Sequence, residues 1–189
     1  MKKILLSAAL VASMGAVALA PNAARAADGT ITINGQITSA TCTISVNGGT
    51  ASPTITLPTV QASQFTGTGI ATGWTAVTIA LSNCTAGSGT PAVTKVLPYF
   101  EQGANTDLGN GYLKNATGTA NGVEVVLSNT NALTGKLNLA ANAGLQNAGT
   151  AQTISGNPSF SYYAAYVSNA ATVTAGTVAT SVQYDLNYQ

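Results

Sequence analysis

Apolar and polar residues alternate with a period of two at both ends of this chain, and no segment after Ala27 sustains the capped 3.6-residue period of a helix. A strand that buries one face has that period of two. At the front the pattern is Gly29-Thr30-Ile31-Thr32-Ile33-Asn34-Gly35-Gln36-Ile37, and at the back Val182-Gln183-Tyr184-Asp185-Leu186-Asn187-Tyr188-Gln189. Turn residues separate β-branched runs between them: Thr41 to Val46 before Asn47-Gly48-Gly49, Trp74 to Leu81 before Asn83, and Ala92 to Phe100 after Gly89-Thr90-Pro91. Val123 to Leu127, Phe160 to Val167 and Val178 to Tyr188 continue the series, each shortly after a glycine. This punctuation predicts a single all-β domain, a two-sheet sandwich of immunoglobulin-like type; strand spacing alone does not separate that from a barrel or jelly roll. Ala140 to Leu145 has the makings of a short helical turn, weakened by its glycine and asparagines.

Residues 1–26 stand outside the fold. Met1-Lys2-Lys3 is basic, Ile4 to Ala20 is apolar, and Ala24-Arg25-Ala26 offers small residues at both positions an export cleavage site needs. The segment reads as a secretory signal peptide, with Ala27 as the first mature residue. A retained membrane anchor would need roughly 20 uninterrupted apolar residues. Removal leaves 163 of the 189 residues, enough for one domain that buries roughly 70% of its unfolded surface.

The mature chain carries Lys95, Lys114 and Lys136 against Asp28, Glu101, Asp107, Glu124 and Asp185, three positive charges against five negative, or −2. Three scattered lysines make no basic stripe for a phosphate backbone, so nucleic acid is not an expected partner. Cys42 and Cys84 are the only cysteines, and export to an oxidising compartment predicts that they form a disulfide. Closing that loop stabilises the fold by roughly 4 kcal/mol in the chain-entropy account. Two thiolates and no histidine do not make a metal site.

No catalytic residue and no cofactor are expected. Without histidine the Ser-His and Cys-His nucleophile pairs are impossible. Glu101, Asp107, Glu124 and Asp185 leave a paired-carboxylate hydrolase formally open, but nothing in the sequence brings two of them together, and solvated surface carboxylates are the plainer reading. Asp185 alternates with Tyr184 and Leu186 and is expected to face solvent. Tyr162, Tyr163 and Tyr166 suggest a sugar-stacking cluster; on an alternating strand they are better placed in the core and at an interface. Asn83-Cys84-Thr85 and Asn115-Ala116-Thr117 match the glycosylation sequon, a weak signal at that length.

One feature sits awkwardly in a self-contained sandwich. The front alternation changes character at Gly35, so residues 27–34, roughly 26 Å when extended, form a piece separable from the domain of residues 35–189. Such a piece can dock on its own molecule or on another.

The two ends, the cysteine spacing and the leader together resemble the major subunits of type-1-like fimbriae assembled by the chaperone-usher pathway. Asp28 to Ile37 followed by Thr41-Cys42 is similar to that family's donor segment and first cysteine, and Tyr184 to Gln189 to its last strand with a penultimate tyrosine. Phe160 to Tyr166 and Ala175-Gly176-Thr177-Val178 are similar to the preceding strand and the glycine turn after it. The strand lacks the arginine that many relatives carry there.

The resemblance implies an incomplete immunoglobulin-like sandwich whose missing strand is donated by the N-terminal segment of a neighbouring subunit, a known case of β-augmentation. It implies Gly29, Ile31 and Ile33 as the donor face. Val182, Tyr184, Leu186 and Tyr188 are implied as the acceptor wall, with the Gln189 carboxylate gripped by a periplasmic chaperone. The implied partners are identical or related pilin subunits, that chaperone, an outer-membrane usher and a host receptor, and the implied destination is the cell-surface fimbrium by way of the periplasm. The expected role is a structural shaft subunit supporting adhesion; the alternatives are a minor adaptor or adhesive subunit that binds a host glycan or protein, and a secreted carbohydrate-active sandwich.

Overall fold

A computed structural model describes residues 31–33, 35–89 and 91–189. The expected signal peptide and Gly29 lie outside the described residues. The chain divides into two compact units, one ending at Gln36 and the other running Ile37–Gln189. In the first, Ile31 and Ile33 are 90% and 89% exposed.

The second unit is all-β. Its strands are β1 (Thr41–Val46), β2 (Ala71–Thr85), β3 (Lys95–Phe100), β4 (Leu113–Lys114), β5 (Val123–Ser128), β6 (Gln152–Thr153), β7 (Ser159–Ser168) and β8 (Tyr184–Tyr188). They form a five-stranded sheet in the order β1-β2-β7-β5-β4 and a three-stranded sheet in the order β6-β3-β8. Every pairing is antiparallel, and the two-sheet expectation is met.

Alternation sorts the side chains. Ile79 and Leu81 of β2, Phe160, Tyr162 and Ala164 of β7, and Val125 and Leu127 of β5 meet Val96 and Phe100 of β3 in the main core, which Leu137, Leu139 and Ile154 close. Each such aliphatic or aromatic side chain contributes about 1.5–3 kcal/mol by leaving water. The Phe100 and Tyr162 rings meet edge to face with centroids 5.1 Å apart, a favoured aromatic geometry. Buried Gln146 holds the end of β3, accepting from the Phe100 N–H and donating to its carbonyl. On the opposite face of β5 and β7, Val126, Ala165 and Val167 are covered by Trp74, Tyr112 and Leu133, so all six residues of β5 are buried.

The disulfide joins Cys42 on β1 to Cys84 on β2, tying adjacent strands of one sheet. Asn83, expected as a turn, lies within β2 at φ 48°, where the register with β1 shifts. An extra residue there makes a bulge, and asparagine tolerates the left-handed conformation.

Three other expectations are corrected. Residues 35–40 form no strand, and the first strand starts at Thr41. Ala140 to Leu145 is not helical: separate turns close through Ala141 N–H to Asn138 and Leu145 N–H to Asn142, and Gly144 at φ +82° breaks any helical run. Of Val178 to Tyr188, only Tyr184–Tyr188 pairs as a strand; the remainder builds the site below.

Candidate functional site

The sandwich is open along one seam. An apolar groove of about 840 Å³ runs between an extended segment at 51–57 and a second at 178–184. Burial alternates strictly along both, with Ala51, Pro53, Ile55 and Leu57 facing inward on one side and Val178, Thr180, Val182 and Tyr184 on the other. The floor is core: Val77, Ile79, Val125, Leu127, Tyr162, Ala164 and Tyr166. Among the described residues, none that lines it is charged. An apolar, extended occupant is what such a channel suits.

The two walls run in opposite directions. Tyr184 meets Ala51 at one end, where its hydroxyl donates to the Ala51 carbonyl at 2.7 Å. Val178 and Val60 share a small cluster with Phe65 and Ala120 at the other. The seven-residue wall spans roughly 20 Å.

Hydrogen bonding on the 178–184 wall follows strand parity. A strand residue aims its N–H and C=O at one edge, and its neighbours aim at the other. The odd positions are satisfied from outside: the Thr177 and Ala179 carbonyls accept from Ala120 and Ala116 N–H, and the Gln183 carbonyl from Glu101 N–H. The Ala179 N–H donates to Asn115 Oδ1 at 2.9 Å. Asn115 also donates to Ala120 and Thr177 carbonyls, so this sequon asparagine works as a brace. Among the described residues, no backbone hydrogen bond reaches Val178, Thr180 or Val182. Thr180 Oγ1 is a buried side-chain oxygen without a partner. The inner edge of this wall is therefore an unpaired sheet edge, and with no partner strand beside it the segment does not count as a strand.

Of the expected acceptor residues, Val182 and Tyr184 line the groove. Leu186 and Tyr188 lie beyond its end, packed against the main core and paired with Pro98 and Val96. The Tyr188 hydroxyl bonds to the backbone of Cys42, while burial pushes its pKa up. The Gln189 carbonyl accepts from Thr94 and Lys95 N–H. The sequence reading missed Val178, Thr180 and the whole 51–57 wall. Ala51-Ser52-Pro53-Thr54-Ile55-Thr56-Leu57 does alternate, but Pro53 and Pro58 disguise it.

The tyrosines separate by face. Tyr162 is buried beneath the groove and donates to the Ala148 carbonyl at 2.9 Å, and burial raises its pKa. Tyr166 lines the groove, and Tyr163, of opposite parity, is half-buried on the other face of β7.

The carboxylates are not all lone and solvated. Exposed Asp185 shares a hydrogen bond with Glu101, and that bond together with the like charge raises the Glu101 pKa. Glu124 is only 2% exposed. It accepts from Asn110 Nδ2 at 2.8 Å; desolvation, and less strongly the neighbouring Asp107, raise its pKa. Neither pair lines the groove.

Residues 57–189 match the family model described as FimA: Type-1 fimbrial protein, A. The chain is 38% identical over 180 residues to the major fimbrial subunit SMF-1 of Stenotrophomonas maltophilia (strain K279a), covering 91% of this chain and 99% of that one. It is 35% identical over 181 residues to the F17 fimbrial protein of Escherichia coli, covering 93% and 96%. Among solved structures, a chaperone-usher pilus matches with TM-score 0.54 at 20% identity, over 86% of this chain and 96% of that one. The P pilus rod subunit PapA matches with TM-score 0.50 at 21% identity, over 85% and 100%. These likenesses carry the fold.

Proposed function

Because the chain belongs to the type-1 fimbrial protein family, we propose that it polymerises by laying the N-terminal segment of one copy into the 51–57/178–184 groove of the next. It is a structural subunit of an extracellular fimbria; the proposal concerns how that fibre is joined. The observation that carries it is the groove's inner edge, where Val178, Thr180 and Val182 offer backbone groups without partners. An added strand satisfies them, and its alternate side chains fill an uncharged channel.

Gly29, Ile31 and Ile33 are the proposed donor face. The same parity extends to Gly35 and Ile37, and Ile37 is 99% exposed. Residues 29 to 33 span only roughly 13 Å, whereas 31 to 37 span roughly 20 Å, the length of the wall. The donor therefore runs through Ile37, past the break at Gly35. Before assembly the bare edge is an aggregation hazard, and a periplasmic chaperone that lends a strand removes it until an outer-membrane usher hands the subunit on. Residues 1–26 direct the chain to that compartment. Replacing Ile31 and Ile33 with aspartate should abolish fibres seen by electron microscopy while the subunit is still made and still recovered with its chaperone. Normal fibres from the double variant would overturn the donor assignment.

A further inference from the structure

We infer that the Tyr184 hydroxyl is a crossbar that fixes the spacing of the groove walls at one end, so that it governs how long that end of an inserted strand is held. The inference rests on the groove being the acceptor site and gives one residue there a specific task. Among the described residues, no hydrogen bond reaches residues 52–60. Pro53 and Pro58 have no N–H to give. The single bond at the start of this wall is the one the Ala51 carbonyl accepts from Tyr184. Ile55 and Leu57 pack on the core, but apolar contact is non-directional and does not set where a backbone edge lies.

Tyr184 is itself well held. Its backbone pairs with Phe100 across β8 and β3, and its ring lies 6.3 Å from the Phe100 ring, centroid to centroid. Burial raises its pKa, so at neutral pH the hydroxyl keeps the proton it donates. A rigid wall thus reaches across to position a wall whose nearest other polar anchor, among the described residues, is the bond that the preceding Thr50 carbonyl accepts from Val46 N–H at 3.1 Å. The groove stops where the two meet: Tyr184 lines it, and residues 185–188 do not. Of the hydroxyls on these walls, Thr180 Oγ1 has no partner, whereas the Tyr184 hydroxyl is committed across the gap.

The test uses mature chain refolded with labelled synthetic peptides of residues 27–37, 27–33 and 31–37, and follows each peptide's release when unlabelled peptide is added in excess. Tyr184→Phe keeps the ring and loses the crossbar. It should release the 27–37 peptide about fivefold faster, the worth of one ordinary hydrogen bond. The acceleration should persist with the 31–37 peptide, which spans the whole wall and so reaches the crossbar in either direction; the 27–33 peptide should show it only if residue 31 lies at the crossbar end, which gives the strand's direction. Tyr163→Phe, a hydroxyl lost outside the groove, should release all peptides at the wild-type rate. Unchanged release of the 27–37 and 31–37 peptides from Tyr184→Phe would overturn the crossbar. If the wild-type chain retains none of the peptides, the acceptor reading falls instead, and the crossbar with it.

Discussion

The two walls of the groove have the same outline and opposite support. On the C-terminal wall, the outer edge is bonded at Thr177, Ala179 and Gln183, and its backbone runs on into β8. The 51–57 wall has side chains in the core, two prolines nearby, and one hydrogen bond at its start. A strand added to an edge gains most where that edge is already held in register, since ordering a loose partner costs backbone entropy. In the proposed acceptor the C-terminal wall is the template for pairing, and the other wall is the one free to adapt to an inserted strand.

That contrast can be broken at several levels. The largest effect should come from converting Cys42 and Cys84 to serine. Losing the tie between β1 and β2, just upstream of the weakly held wall, should cost about 4 kcal/mol, read from denaturant midpoints at fixed slope. Next, Asn115→Ala removes the brace behind the rigid wall and strands the Ala179 N–H. A loss of about 1–3 kcal/mol is expected, and hydrogen exchange at residues 177–183 should quicken while that of β2 does not. Exchange that stays slow there would mean that the wall is held by its side chains alone.

A smaller effect should follow from Glu124→Gln, since Glu124 sits beside the loop that bonds the rigid wall. Its folded pKa is raised above the ordinary 4.5 by desolvation first, so the folded state holds its proton more tightly than the unfolded chain does. Stability is then fully present below the unfolded pKa and falls as pH rises through the raised value. The glutamine variant should flatten that decline and melt higher than wild type at pH 7. An unchanged pH profile would place the proton elsewhere. Smallest of all, Thr54→Ala and Thr56→Ala, outward-facing on the adaptable wall, should shift stability by no more than about 0.5 kcal/mol. A larger loss would show that this wall is as firmly anchored as its partner.

Much of the fold is legible because period-two patterning reports burial directly. The runs at Thr41 to Val46, Val123 to Leu127 and Phe160 to Val167 become strands within a residue or so of their expected bounds, and export foretells the disulfide. The site is legible on one side only. The family resemblance implied Val182 and Tyr184, and the alternation at the chain's end put them on one face. Leu186 and Tyr188 share that alternation yet pack beyond the groove, because β3 pairs with β8 only from Tyr184 onward. Glu124 looked like any surface carboxylate, and it is buried because Asn110 and the turn around it fold over β5.

Alternation depends on neighbours in sequence, and it determined which residues share a face of an extended segment. Pairing joins residues far apart in sequence, and only the tertiary structure decided it. The same pattern at 178–183 and 184–188 yields an open edge in one place and a paired strand in the next, according to whether another strand lies within hydrogen-bonding reach.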